Sequence, residues 1–311
     1  MKFTMGIPLG DIAPGEFQTA AAVRELAIAL EAAGIDACYL TDHPAPDASW
    51  LRQGLGHDAL DPFTALAFVA AATSRIRLHT NIVVAAYRNP FLTAKSAATL
   101  QVLSGGRLIL GLGAGYQKAE FDALGVDFSR RGKLFDEALE VIRLAWAGGA
   151  VQFTGSHFTA ANNEPRPAPD PAPPIWIGGG SDKAAERAAR HGDGWSPVFS
   201  APAMSELNRA SGIHSVEHLR EKLERLHDLR ASLGRSGPFD VAIGPRARLG
   251  YQKPGGAEAY LEDLGELAEA GVTWAMVEPP HSSRQAFLDN VQWFAEEVIP
   301  KLDAPGSWGV G

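Results

Sequence analysis

The sequence predicts an α/β fold, a single (β/α)8 TIM barrel over residues 1–311 with short insertion segments. Three observations predict it. Short apolar runs alternate strictly with amphipathic stretches, in eight strand-then-helix units. Such alternation implies a parallel sheet with helical crossovers. The 311 residues hold a barrel of about 250 residues plus insertions. No low-complexity linker marks a second domain, so an open doubly wound sheet is the runner-up.

The elements follow in order. Phe3 to Leu9 reads as the first strand, and Phe17 to Ala33 as a helix ended by Gly34. Ile35 to Thr41 is the second strand and Phe63 to Ala72 its helix. Ile76 to Ala85 is the third strand, followed by a helix from Pro90 to Leu103 that stops at Gly105-Gly106. Arg107 to Leu112 is the fourth strand. Its helix, Arg131 to Ala147, lines up Leu134, Ala138, Val141, Ile142 and Ala145 on one face. Val151 to Ala160 alternates around a Gly and reads as a small hairpin. The stiff Pro165–Pro174 segment leads into the fifth strand, Pro174 to Gly178, and a helix from Ser181 to His191. Gly194 to Phe199 is a weaker sixth strand, then a polar loop from Ser200 to Ile213 and a helix from His214 to Leu233. Phe239 to Gly244 and Val272 to Glu278 are the last strands. Their helices are Ala257 to Ala270 and Arg284 to Leu302.

Composition bounds the function. The chain carries 28 Lys+Arg and 36 Asp+Glu, a formal net charge of −8. That balance argues against general nucleic-acid binding, which needs a basic footprint. Cys38 is the sole cysteine, which rules out an internal disulfide and a multi-cysteine metal site. The expectation is a cytoplasmic protein without signal peptide or membrane span, acting on a small molecule.

In a barrel, chemistry belongs to the loops after the strands. Strand two ends in Asp42-His43-Pro44. A histidine there can move a proton near neutral pH; a loop pair with ordinary hydrogen bonds is the alternative. Strand three ends in Thr80-Asn81-Ile82, which by itself reads as buried strand. The Gly111-Leu112-Gly113-Ala114-Gly115 run after strand four has the wrong spacing for a dinucleotide fingerprint and reads as a tight turn. Gly178-Gly179-Gly180-Ser181 runs straight into a helix. Glycine amides, a helix N-terminus and a hydroxyl suit a phosphate. The alternative is a helix entry with Ser181 or Asp182 as N-cap. The remaining histidines show no metal spacing and no serine sits in G-x-S-x-G, so no metal site and no serine hydrolase is expected.

These residues also carry a resemblance. The stretch from Arg75 to Trp146, including RIRLHTNIVVAAYRNPFLTAKSAATLQVLSGGRLILGLGAGYQKAEFDALGVDF, is similar to the bacterial luciferase-like monooxygenase superfamily. The segment PPIWIGGGSDKAAERAARHGDGW and the TDHP turn extend the match over nearly the whole barrel. Asp42-His43 resembles the deazaflavin branch, which uses coenzyme F420. The resemblance implies that His43 lies near the deazaflavin ring and assists proton movement, with Asp42 orienting it or binding the ring edge. It implies a non-prolyl cis peptide at Asn81-Ile82, forming a bulge behind the ring. It implies that Gly178, Gly179, Gly180 and Ser181 cradle the cofactor phosphate, and that the chain pairs as a homodimer. One departure is visible: sugar-phosphate-oxidising members carry a catalytic Glu near Tyr116 or Gln117, and neither is acidic.

The expected function is therefore F420-dependent hydride transfer to or from a small organic substrate. The alternatives are an FMN-dependent monooxygenase using reduced flavin and oxygen, and a non-catalytic deazaflavin-binding protein. Trp50, Arg52, His57, Tyr87 and His281 are candidate pocket residues.

Overall fold

A computed structural model describes residues 1–9, 14–54, 56–200 and 212–302. Most of the Ser200–Ile213 loop lies outside the described residues. The strands in chain order are β1 (Lys2–Gly6), β2 (Ala37–Leu40), β3 (Arg77–Thr80), β4 (Val83–Val84), β5 (Leu108–Gly113), β6 (Val151–Thr154), β7 (Thr159–Asn163), β8 (Ile175–Gly178), β9 (Gly194–Ser196), β10 (Asp240–Ile243) and β11 (Trp274–Val277). The helices are α1 (Pro14–Phe17), α2 (Ala20–Ala32), α3 (Ala48–Arg52), α4 (Pro62–Ala72), α5 (Pro90–Leu103), α6 (Lys118–Ala123), α7 (Arg131–Trp146), α8 (Asp182–His191), α9 (Val216–Ser232), α10 (Glu258–Glu269), α11 (Arg284–Glu297) and α12 (Ile299–Leu302).

The main sheet runs β3-β2-β1-β11-β10-β9-β8-β5-β4, and β3 also pairs with β5. That extra pairing closes the ring. β3 and β4 are two halves of one barrel strand, so the closed barrel has eight parallel strands, as the alternation predicts. The β6–β7 hairpin stands apart.

Strand side chains alternate between two cores. Cys38 and Leu40 of β2 face the large shell between sheet and helices. Ala37 and Tyr39 of the same strand face inward, with Trp176, Trp274 and Met276. Local chemistry starts the covering helices. Asn89 and Asp61 cap α5 and α4, and each is followed by Pro90 or Pro62 at the first turn.

Three predicted elements differ. The third strand is interrupted rather than continuous. Its Asn81-Ile82 peptide is cis. His79 pairs with Ile109 and Val83 with Leu112, so three residues of one strand face two of the other, a bulge. The Thr80 hydroxyl fills the gap in the ladder: it donates to Gly111 O and accepts from Gly111 N, both at 2.9 Å. The sixth strand stops at Ser196 and continues only as a Phe199–Ile213 bridge. The first helix begins at Ala20, where Thr19 caps the Ala22 N–H, with the separate short turn α1 before it.

Candidate functional site

The C-terminal ends of the strands converge at one mouth. His43 follows β2 there. Its Nδ1 lies 3.3 Å from Glu120 Oε1 and 3.4 Å from Oε2. Glu120 belongs to α6 and is buried. A carboxylate facing Nδ1 fixes the proton on that nitrogen. Among the described residues nothing bonds the other nitrogen, Nε2. Gln117 Nε2 lies 3.4 Å from Nδ1, and being a donor it makes no hydrogen bond to that nitrogen while Nδ1 holds the proton. Aromatic rings enclose the imidazole: Trp50 at 4.9 Å, His57 at 5.2 Å and Tyr116 at 6.1 Å between centroids.

Asp42 faces the other way. Its Oδ1 accepts from Arg88 Nη2 at 2.7 Å, and Oδ2 accepts from Arg88 Nε and from the Val84 N–H, each at 3.1 Å. Arg88 also reaches Asp61, the N-cap of α4, at 3.3 Å. Asp42 is therefore bonded to the backbone just beyond the bulge, and the acid on His43 is Glu120. Sequence reasoning paired His43 with its neighbour and searched for an acid at Tyr116 and Gln117. The short helix α6 delivers the carboxylate one turn later. The available signal was that Glu120 is the first acidic residue after the glycine run.

The glycines explain themselves by what a Cβ would meet. At Gly111 it would come within 1.9 Å of the Thr80 carbonyl oxygen. At Gly113 it would lie 2.3 Å from Ile82 Cδ1, and at Gly178 2.7 Å from Ile82 Cγ2. The bulge thus pushes Ile82 into space that only glycine leaves open on β5 and β8. The Asn81 side chain turns to the barrel interior, with Nδ2 3.4 Å from Met276 Sδ and Oδ1 accepting from Ser196 Oγ at 3.4 Å.

After β8 the chain passes Gly178, Gly179 and Gly180 with no side chain, and Gly179 has φ +105°. The Gly179 N–H donates to Ser196 O, and its carbonyl accepts from Trp195 Nε1 at 2.8 Å. Ser181 is the N-cap of α8, accepting from the Ala184 N–H. The Gly179 N–H is thus already bonded, while the capping Ser181 hydroxyl keeps its own proton to donate. Lys222, itself buried, pairs with Asp182 and offsets that acid beside the loop.

Of the other candidates, Trp50 and His57 meet His43. Tyr87 packs edge-on against Phe121. Arg52 is exposed at the end of α3. His281 lies edge-on to Phe17 and its Nδ1 is 3.0 Å from Pro279 O. Sequence reasoning also missed Glu278, just past β11, whose Oε1 accepts from the Tyr39 hydroxyl at 2.8 Å. Its signal was an acid at a barrel strand's C-terminal end. Among the described residues no group of three or more His, Cys, Asp or Glu could hold a metal ion. No described helix is long and apolar enough to cross a membrane.

The model of the luciferase-like monooxygenase family matches residues 2–247. The chain belongs to this family. It is accordingly an oxidoreductase of a family that uses F420 or flavin-type cofactors. The chain is 31% identical to the F420-dependent glucose-6-phosphate dehydrogenase of Amycolatopsis mediterranei, over 91% of this chain and 94% of that protein. It is 34% identical to the F420-dependent hydroxymycolic acid dehydrogenase of Mycobacterium tuberculosis, over 54% of this chain and 46% of that one. Two solved structures share the fold. One is an F420-dependent secondary alcohol dehydrogenase in complex with an F420-acetone adduct, at TM-score 0.75 and 19% identity, covering 97% of this chain and 99% of that one. The other is the long-chain alkane monooxygenase LadA, at TM-score 0.77 and 16% identity, covering 100% and 93%.

Proposed function

We propose that this luciferase-like enzyme is an F420-dependent oxidoreductase that moves a hydride between the deazaflavin C5 and a small organic substrate. The observation that carries the reading is the His43–Glu120 pair, ringed by aromatic residues beside the Asn81-Ile82 bulge. The F420-dependent names of the relatives support the choice of cofactor.

The residues present fit such a group. Gly178, Gly179, Gly180 and Ser181 form a cradle without side chains until the Ser181 hydroxyl, at the start of a ten-residue helix. That arrangement suits the cofactor phosphate. Asn81 and Ile82 would back its ring. Bound deazaflavin supplies hydride acceptance and donation, which no side chain can. His43 Nε2 takes or returns the substrate's hydroxyl proton. Glu120 keeps Nδ1 protonated and the ring turned to the mouth. Asp42, through Arg88 and Val84 N–H, holds the bulge in place.

The homodimer belongs to the same proposal. The outer faces of α4 and α5 expose Phe68, Leu92, Val102 and Leu103. Lys95 is the lone charged residue of these two helices. An apolar face of this kind suits a second copy.

Titrating the protein with F420 and, separately, with FMN tests the reading, followed by Trp quenching and cofactor fluorescence. Micromolar or tighter binding of F420 alone, with turnover of alcohols or reducible double bonds, is the expected result. Preferential FMN binding with oxygen uptake coupled to product would replace it with a monooxygenase. Tight F420 binding without turnover would leave a cofactor-binding protein.

A further inference from the structure

Beside His43 the mouth contains a cavity of about 140 Å³, near the size of an engineered apolar cavity that holds benzene. His57 links the two, since it lines the cavity and stands 5.2 Å from the His43 ring. One wall is apolar, formed by Ile7, Leu9, Leu60 and Pro279. The polar part of the cavity wall carries Tyr39 and the solvent-exposed Glu278.

This wall is built. Tyr39 is buried, and its ring stands so close to Gly6 that a Cβ there would meet it at 2.9 Å. Its hydroxyl donates to Glu278 Oε1 at 2.8 Å and so fixes the carboxylate. Among the described residues nothing bonds Glu278 Oε2. His57 Nδ1 lies 2.8 Å from the Asp58 carbonyl oxygen, which places the proton on Nδ1 and leaves Nε2 as an acceptor. The cavity therefore offers acceptors. Its described lining also includes Asp58 and contains no Lys or Arg.

We infer that this cavity is the substrate pocket, and that it selects a ring-sized, unphosphorylated organic molecule whose hydroxyl or protonated amine donates to Glu278. The inference rests on the oxidoreductase reading above and names the substrate class for it. A carboxylate can only accept hydrogen bonds, so the group it receives must donate. A phosphate here would face two carboxylates with no Lys or Arg in the described lining to offset them, an arrangement that costs affinity. The apolar wall takes the carbon body. His57 joins the cavity to His43.

Ligand-observed NMR with cyclohexanol, cyclohexylammonium and cyclohexyl phosphate tests this, on protein with and without bound deazaflavin. The three probes share one carbon body and differ only in the polar group. The alcohol and the ammonium are expected to bind about tenfold or more tighter than the phosphate. Glu278→Gln is expected to abolish the preference for the ammonium. Leu60→Arg, at a partly exposed position that tolerates charge, is expected to gain affinity for the phosphate. Phosphate binding as tight as the others in the wild type would overturn the inference. So would unchanged alcohol and ammonium affinities in Glu278→Gln. The readout is binding, so this ranking in a protein that takes up no deazaflavin would uphold the pocket while overturning the cofactor reading.

Discussion

His43 Nδ1 and Glu120 Oε1 stand 3.3 Å apart, although they lie 77 positions apart in the chain. The bond joins the end of β2 to α6 and sets which imidazole nitrogen carries the proton. Glu120→Gln keeps the shape and removes the charge. It is expected to lower kcat about 10–100-fold, below the roughly 10²–10⁴-fold that a positioned general acid–base group contributes, because His43 itself stays. The F420 Kd should stay within a few-fold. Glu120→Asp should recover part of the rate. An unchanged kcat in Glu120→Gln would leave the pair structural only.

Asp42 plays a different part from its neighbour. Its carboxylate is buried and receives two bonds from Arg88 and one from Val84 N–H. Asp42→Asn keeps one acceptor oxygen but leaves the guanidinium with Asp61 as its remaining charged partner and disturbs the strand beyond the bulge. Removing one partner of a buried pair costs several kcal/mol; with Arg88 partly exposed, about 2–3 kcal/mol is expected. Urea unfolding measures it. A loss of activity without loss of stability would instead place Asp42 in the chemistry.

The barrel was legible because strand and helix periods are written in local sequence, and helix stops such as Gly34 and Gly105-Gly106 are explicit. The loops after β2 and β8 were legible as candidate sites for the same reason: Asp42-His43 and Gly178–Ser181 are contiguous. What was not legible depends on contacts far apart in the chain. No local pattern says that Glu120 reaches His43, that Arg88 claims Asp42, or that Tyr39 holds Glu278 across 239 positions. Short helices such as α3 and α6 span less than two turns, too few for a periodic signal. The break in the third strand is hidden in composition, because His79 to Val84 reads as strand throughout; the family resemblance alone implied the cis Asn81-Ile82 peptide that the structure has.

The glycines on β5 give a graded test of the bulge. Gly111→Ala sets a methyl 1.9 Å from the backbone oxygen of Thr80, which cannot rotate away. Gly113→Ala meets the Cδ1 end of Ile82 at 2.3 Å, a flexible tip. Overpacking costs typically 1–3 kcal/mol, about the upper end for Gly111→Ala and the lower for Gly113→Ala. Both melting temperature and F420 affinity should fall more in the first variant. The reverse order would mean that Ile82, and not Thr80, is the rigid part of the bulge.

Self-association has an equally direct test. Phe68 is 51% exposed on α4, and Leu103 is 75% exposed on α5. Phe68→Glu places a charge in the proposed interface and is expected to shift the protein from dimer to monomer in light scattering after size exclusion. The fold should survive, since the side chain points away from the core. Cofactor binding should be retained within a few-fold. A wild type that is already monomeric at high concentration would remove the dimer from the proposal.

His79 sets an acid limit on the fold. It is fully buried inside the barrel, with Nδ1 3.3 Å from Thr4 Oγ1. Burial, reinforced by the charge of Arg77, pushes its pKa from 6.5 down to about 3. The unfolded chain therefore takes up this proton at higher pH than the folded one. The stability gained by keeping His79 neutral is complete above pH 6.5 and is lost as pH falls toward 3. The loss runs at about 1.4 kcal/mol per pH unit within that window. His79→Gln removes the titration. The drop in unfolding free energy between pH 7 and pH 5 should then shrink by about 2 kcal/mol. Denaturant curves at the two pH values measure it, and parallel losses in wild type and variant would show that the buried imidazole does not govern the acid limb.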